Sequence, residues 1–287
     1  MSLDAGLVEA IAAIKPYLGD VVLAGGWVPR VYAAIQTPLD DGGLLTTRDI
    51  DVAVPRRLGV RTRTIVELLE AAGFTCELGS VETLPVMHFV ARRDEPDEVE
   101  VEFITAAAGS NDGPLEVQTG LTAQAVKFGH LLLEHTWYAS LQELTDGRMG
   151  GRLSIPTPAA FALNKSLTFS RRRDPAKKEK DLYYLFYVVS GFPEWHDWMR
   201  TNLRTIAESR RSWVRRAVTD LTRVSRDAQE SRGLGDVYKR QRGPPAAPAQ
   251  RLRRSRRRPV PPIRSVGYEP VARHVERGCG RVLVRRG

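Results

Sequence analysis

Apolar positions set the pattern along the first half of the chain. Leu3, Leu7, Ile11, Ile14 and Leu18 recur at helical spacing, which predicts an amphipathic helix over 3–18. A short buried-strand run, Val21-Val22-Leu23-Ala24, follows and ends at Gly25-Gly26, and 27–35 reads as a helix. Thr47 to Val54 (TRDIDVAV) alternates as a strand does and is stopped by Pro55. Residues 61–72 read as a helix with Gly73 as its C-terminal cap. Two more strands are expected at Val86–Arg93 and Glu98–Thr105, around the loop Asp94-Glu95-Pro96-Asp97. Helices and strands interleaved in this way predict an α/β (α+β) unit with a small mixed sheet.

The pattern then changes. Helices are expected over 121–135, Pro158–Phe169, Lys178–Ser190 and Trp195–Asp227, with a short extended piece at Leu153-Ser154-Ile155-Pro156. The resulting division is a domain over 1–120, a helical domain over 121–230, and a third segment over 231–287. Residues 242–264 (RGPPAAPAQRLRRSRRRPVPPIR) have no period and little to bury, which predicts a disordered Arg/Pro-rich tail. Gly233–Gln241 (GLGDVYKRQ) resembles translated adapter or vector sequence, and the text beyond it resembles out-of-frame translation of GC-rich DNA. A non-native tail is the expectation, and a functional basic tail is the alternative.

Charge distribution sharpens this division. The net charge is +9, but residues 231–287 hold 16 Lys and Arg against 3 Asp and Glu. Residues 1–230 hold 27 against 31, a mildly acidic body without a global field for polyanions. No apolar run reaches the ~18–20 residues of a membrane span. The opening MSLDAGLVEA is not patterned as a signal peptide. Cys76 and Cys279 form no metal-ligand spacing, and a reduced cytoplasmic setting is expected. The five histidines form no H-x-x-H or H-E-x-x-H spacing, which leaves a zinc hydrolase without support, and no G-x-S-x-G or P-loop motif is present.

Three motifs carry candidate chemistry. In Val22-Leu23-Ala24-Gly25-Gly26-Trp27-Val28-Pro29-Arg30, a strand ends in two glycines that open a helix, so backbone N–H groups can approach a phosphate. Asp49 and Asp51, at i and i+2 of a strand, project from one face. Two adjacent like charges repel unless a cation sits between them, and hard divalent cations such as Mg²⁺ or Mn²⁺ use few carboxylates. Glu98, Glu100 and Glu102 share one face of their strand, and one of them can complete a triad suited to two-metal phosphoryl transfer. The bland alternatives are a plain Gly-Gly turn, a solvated strand face and an acidic edge that discourages strand pairing.

Together these motifs resemble the polymerase-β-like nucleotidyltransferase superfamily, in which a Gly-Gly turn, an Asp-x-Asp strand and a third acid follow in order. The wording LAGGWVPRVYAA…TTRDIDVAV is similar to the bacterial branch with the AbiEii-type toxins and related nucleotidyltransferase-fold proteins. The resemblance spans roughly 20–190. It implies that Asp49, Asp51 and Glu102, with Glu100 in reserve, are catalytic and hold Mg²⁺ or Mn²⁺. It assigns Gly25, Gly26, Arg30 and Lys165 to a bound nucleoside triphosphate, Lys165 from the helix in PTPAAFALNK. Arg171-Arg172-Arg173-Asp174 and Lys180-Asp181-Leu182-Tyr183 are similar to its Arg…Lys-Asp…Asp-Leu pattern, and helix-surface charge is the other reading of those arginines. The expected reaction is transfer of a nucleoside monophosphate to RNA, a protein or a small molecule, with an antitoxin as a further partner. The chain departs from the branch at Leu45, where an Arg is frequent, and at Glu102, where Asp is commoner. Those departures motivate the alternative of a catalytically inactive nucleotide-binding module. Tyr183, Tyr184, Phe186, Tyr187, Trp195, Trp198 and Trp213 are read as packing residues.

Overall fold

The structure is a computed structural model, and it describes residues 3–39, 43–45, 47–79, 86–95, 97–109 and 113–231, with side chains described as far as Arg226. The elements, in chain order, are α1 (Ala5–Ala13), β1 (Val22–Leu23), α2 (Val28–Ile35), β2 (Asp49–Val54), α3 (Ile65–Ala71), β3 (Thr75–Leu78), β4 (Met87–Ala91), β5 (Val99–Ala106), β6 (Pro114–Gln118), β7 (Leu121–Val126), α4 (Gly129–Glu134), β8 (Thr136–Ser140), α5 (Leu141–Leu144), β9 (Arg152–Pro156), α6 (Pro158–Thr168), α7 (Pro175–Gly191) and α8 (His196–Ser231). Beyond Ser231, which ends α8, the expected tail, with Cys279 and His274, lies outside the described residues. No described helix is long and apolar enough to cross a membrane.

The sheet is mixed, as the interleaved order of helices and strands predicts. Its strand order is β1-β2-β5-β4-β3, with the β6–β7 hairpin joined through β7 to the far half of β5. β2 and β5 run parallel, while β1 on β2, β4 on β5 and β3 on β4 are antiparallel. The apolar residues of the β2 and β5 alternation, Ile50, Val52 and Val101, face α1 and pack against Ala10, Ile11 and Ile14. The opposite face carries the acids at one end. At the other end α4 covers Ala53 and Ile104 through Leu132 and Leu133.

Local chemistry explains where helices begin and stop. Thr64 and Glu67 form a capping box that starts α3, so this helix begins later than the expected residue 61. Thr157 caps α6 and Asp174 caps α7, each with Pro at the first helical position, where the missing N–H costs nothing. The helix expected over 3–18 breaks after Ala13, and a short 3₁₀ turn carrying Pro16 follows at Lys15–Tyr17.

The helix expected over 121–135 is overturned. Residues 121–126 form β7, and only Gly129–Glu134 is helical. Leu121, Ala123 and Ala125 are buried while Thr122, Gln124 and Val126 are half-buried, a period of two. Ala and Gln are weak strand formers, and pairing with β5 and β6 decides the conformation here. The domain boundary expected at residue 120 falls in the turn of this hairpin, where Gly120 has φ +75°.

α2 ties the sheet to the helical half. Tyr32 is fully buried, and its hydroxyl donates to the Pro156 carbonyl at 2.7 Å. Its ring meets Trp137, Phe161, Phe192 and Trp195 edge-on. These contacts fix α6 and α7 beside the glycine turn that precedes α2.

Candidate functional site

The β2–β5 register decides the arrangement of the acids. Asp49 lies beside Glu100 and Asp51 beside Glu102, and parallel neighbours in register point to the same face. Asp49, Asp51, Glu100 and Glu102 therefore share one face, as the i, i+2 spacing of each strand implied. The Asp51 row continues through His88 on β4 to Glu77 on β3. His88 Nε2 lies 3.3 Å from Glu77 and 3.8 Å from Glu100.

Electrostatics follow from this crowding. Burial, and then the charge of Asp49, push the Asp51 carboxyl up to about 6. Burial, and then the charges of Asp51, Glu100 and Asp49, push Glu102 up to about 8. For Asp49, burial is the largest influence and raises its pKa. A hydrogen bond from the Thr47 hydroxyl and the charges of Lys180 and Lys177 outweigh it, and the net shift is downward. Lys180 Nζ also donates to the Thr47 hydroxyl at 3.2 Å, which ties α7 to the lip of β2.

The glycine turn is built around these acids. The Ala24 N–H donates to the Asp51 carbonyl at 2.8 Å, which holds the turn against β2. Gly25 has φ +64°, and a Cβ there would overlap the Asp51 carboxylate. A Cβ on Gly26 would stand 2.6 Å from the Tyr184 hydroxyl and 2.7 Å from Thr47 Cγ2. The glycines thus give Asp51, Thr47 and Tyr184 the space a side chain would take. Arg30, in the first turn of α2, lies with its guanidinium 5.2 Å above the Trp27 ring.

Lys165 enters from α6, but it is not a free cation. Its ammonium pairs with Asp181 at 2.7 Å, and Arg172 pairs with the other oxygen of Asp181 at 2.9 Å. The Asp181 side chain is 3% exposed and that of Lys165 is 11% exposed. Burial pushes the Asp181 carboxyl up, but the two cations and their hydrogen bonds bring it below the usual range. The charges of Lys165, Lys180 and Arg172 all favour ionised Asp51, so the network faces the acids. Arg172 and Asp181 thus join Lys165 in one constellation, while Arg171 and Arg173 are exposed at the surface, the helix-surface reading of those two arginines.

Tyr184 is the residue that sequence reasoning missed. Its ring is buried between Lys165 and Lys180, at 5.5 and 6.0 Å, and its hydroxyl has no hydrogen-bond partner among the described residues. Burial raises its pKa, and the charge of Asp49 adds to the effect. A tyrosine in an aromatic run on α7 reads as core, and only the folded contact with Gly26 sets it apart. Thr47 carried no separate signal within TRDIDVAV either.

Among the described residues, no three acid, imidazole or thiol groups converge tightly enough to hold a metal ion as the side chains stand. The backbone register nonetheless brings Asp49, Asp51 and Glu102 side by side, and side-chain rotation is what their convergence requires. An all-oxygen donor set with mutual repulsion suits a hard divalent cation.

Known proteins offer one family match. No curated protein matches the chain. A crystal structure of an antigenic nucleotidyltransferase-like protein from Paracoccidioides brasiliensis is 15% identical, with 74% of this chain and 91% of that chain covered and a TM-score of 0.37. The sequence profile of a family described as nucleotidyltransferase matches residues 3–197, a span that holds the glycine turn, the acids and the Lys165–Asp181 network. That match extends over more than half of the chain, and the protein belongs to the nucleotidyltransferase family.

Proposed function

We propose that the chain is a metal-dependent nucleotidyltransferase that moves a nucleoside monophosphate from a triphosphate to an acceptor and releases pyrophosphate. The observation that supports this most is the row of carboxylates Asp49, Asp51 and Glu102, set side by side by strand register, with the pKa of Asp51 and Glu102 raised by their neighbours. Mg²⁺ or Mn²⁺ held by these three would neutralise charge on the phosphates and orient the reacting oxygens. The turn at Gly25 and Gly26 holds Asp51 in place and begins the helix whose N-terminus favours a phosphate. Lys165 and Arg172, fixed by Asp181, and Lys180, fixed on Thr47, supply positive charge beside the acids. That charge offsets what develops on the departing pyrophosphate. Arg30 stands at the same turn and adds to the cationic side.

The likeness to AbiEii-type proteins extends the proposal to a toxin-like role, with RNA, a protein or a small molecule as acceptor and an antitoxin as partner. Expression in a host cell should then arrest growth, and Asp51→Asn should relieve it. The biochemical test is incubation with each α-labelled triphosphate and Mg²⁺, with and without cell extract. A labelled product that needs Mg²⁺ supports the reading, and its absence with every triphosphate refutes turnover. A second reading is a triphosphate-binding module without turnover. The pairing of Lys165 with Asp181 favours it, since a neutralised lysine has less to offer a phosphate. Triphosphate binding without any labelled product would select it.

A further inference from the structure

The mild acidity of residues 1–230 conceals a division of charge. Residues 1–157, with the whole sheet, hold 12 Lys and Arg against 22 Asp and Glu. Residues 158–230, which form α6 to α8, hold 15 against 9. The acids of the site lie on the negative half, and Lys165, Arg172, Lys177 and Lys180, whose charges act on them, come from the positive half.

The positive half also presents a connected exposed face. Lys177, exposed on the first turns of α7, stands where this face meets the site, since its charge acts on Asp49 and Glu102. Arg171 and Arg173, just before α7, are exposed and have no carboxylate partner among the described residues. The Ser170 hydroxyl donates to Asp220 of α8 at 2.8 Å, so this segment is anchored on the long helix. Asp220 also pairs with Arg216 and Arg223, one acid facing two exposed guanidiniums. Arg226, one turn further, is exposed without a carboxylate partner among the described residues. A run of cations thus leads from the acids of the site onto α8.

We propose that the acceptor is a nucleic-acid strand and that it docks along this face, with a strand hydroxyl brought to the acids. The proposal rests on the nucleotidyl-transfer reading above and names its acceptor class. Repeated phosphates match a row of arginines, whose planar forks bind phosphate oxygens in pairs. A cationic small molecule would be repelled by the same row. In the transfer, the strand hydroxyl oxygen forms a bond to the α-phosphorus, and the bond from that phosphorus to the bridging oxygen breaks. The electron pair leaves with pyrophosphate, and the hydroxyl proton passes to water.

The test uses the full chain and its variant carrying Arg171→Gln, Arg173→Gln, Arg223→Gln and Arg226→Gln. Residues 231–287 are common to both proteins, so their charge cancels in the comparison. Binding of a fluorescein-labelled mixed-sequence RNA oligonucleotide is measured by anisotropy across a salt series. Each phosphate contact in a single strand contributes about 0.7 to the slope of log K against log salt, so the variant slope should be shallower by about 3. Affinity near physiological salt should fall by at least about tenfold. Triphosphate binding in Mg²⁺ should be the same in both proteins. Equal RNA affinity and slope in the two would overturn the docking face, and so would competition by poly-glutamate as strong as by unlabelled RNA. If neither protein binds triphosphate, it is the nucleotidyl-transfer reading that falls, whatever the RNA result.

Discussion

Glu102→Gln should make the protein more stable in alkaline solution without metal, and leave it unchanged in acid. The Glu102 carboxyl is raised from 4.5 to about 8 by burial and by Asp51, Glu100 and Asp49. An acid whose folded pKa is raised binds more protons when folded than when unfolded, so stability falls as pH rises. For Glu102 the loss begins near pH 4.5 and is complete above about 8. A displacement of one pH unit corresponds to ~1.4 kcal/mol, so the whole of it has a ceiling of about 4–5 kcal/mol. Glu102 is only half-buried and shares its repulsion with Asp51, so about 2 kcal/mol is the working figure. A gain of that size raises the melting temperature by roughly 4–8 °C in a protein of this length. Thermal unfolding of wild type and variant in EDTA, from pH 4 to pH 9, measures it. The curves should meet at pH 4 and separate with the variant above. A variant less stable at pH 9, or an offset that does not change with pH, would refute the reasoning. Adding Mg²⁺ at pH 8 should stabilise the wild type more than the variant.

Other substitutions test the surroundings of the acids. Gly25→Ala combines a positive φ, costing about 1–2 kcal/mol, with a Cβ that displaces the Asp51 carboxylate, so labelled-product assays should show near-complete loss. Asp181→Ala leaves Lys165 buried without its partner and should lower unfolding free energy by about 3–5 kcal/mol in urea titrations; loss under about 1 kcal/mol would contradict the buried network. Tyr184→Phe removes a buried hydroxyl that has no partner among the described residues, and the melting temperature should hold or rise, by up to about 1 kcal/mol of stability. A clear fall would show that the hydroxyl is bonded in solution.

Much of the site was legible because a strand has a period of two. Asp49 and Asp51 had to share a face once TRDIDVAV was a strand, and the same held for Glu100 and Glu102. What spacing could not supply was register. A slip of one residue between β2 and β5 would have moved Glu102 away from Asp51, and only the folded pairing fixes it. Strand β7 was not legible for a related reason: Leu121-Thr122-Ala123-Gln124-Ala125 lacks β-branched density, and its strand conformation comes from its neighbours. Lys165 was legible through the resemblance of its helix, whereas its pairing with Asp181, 16 residues on, is supplied by the packing of α6 against α7. Tyr184 and Thr47 were not legible, because their importance lies in contacts with Gly26 across 158 and 21 residues of chain.

The most direct measurement is Mg²⁺-dependent transfer of label from an α-labelled triphosphate in cell extract, by purified wild type and by the variant with Asp49→Asn and Asp51→Asn. Both proteins should fold, since removing two repelling carboxylates relieves strain at the site. The wild type should produce labelled acceptor and pyrophosphate, and the variant neither. Undiminished transfer by the folded double variant would contradict the assignment of Asp49 and Asp51 as the residues that hold the metal.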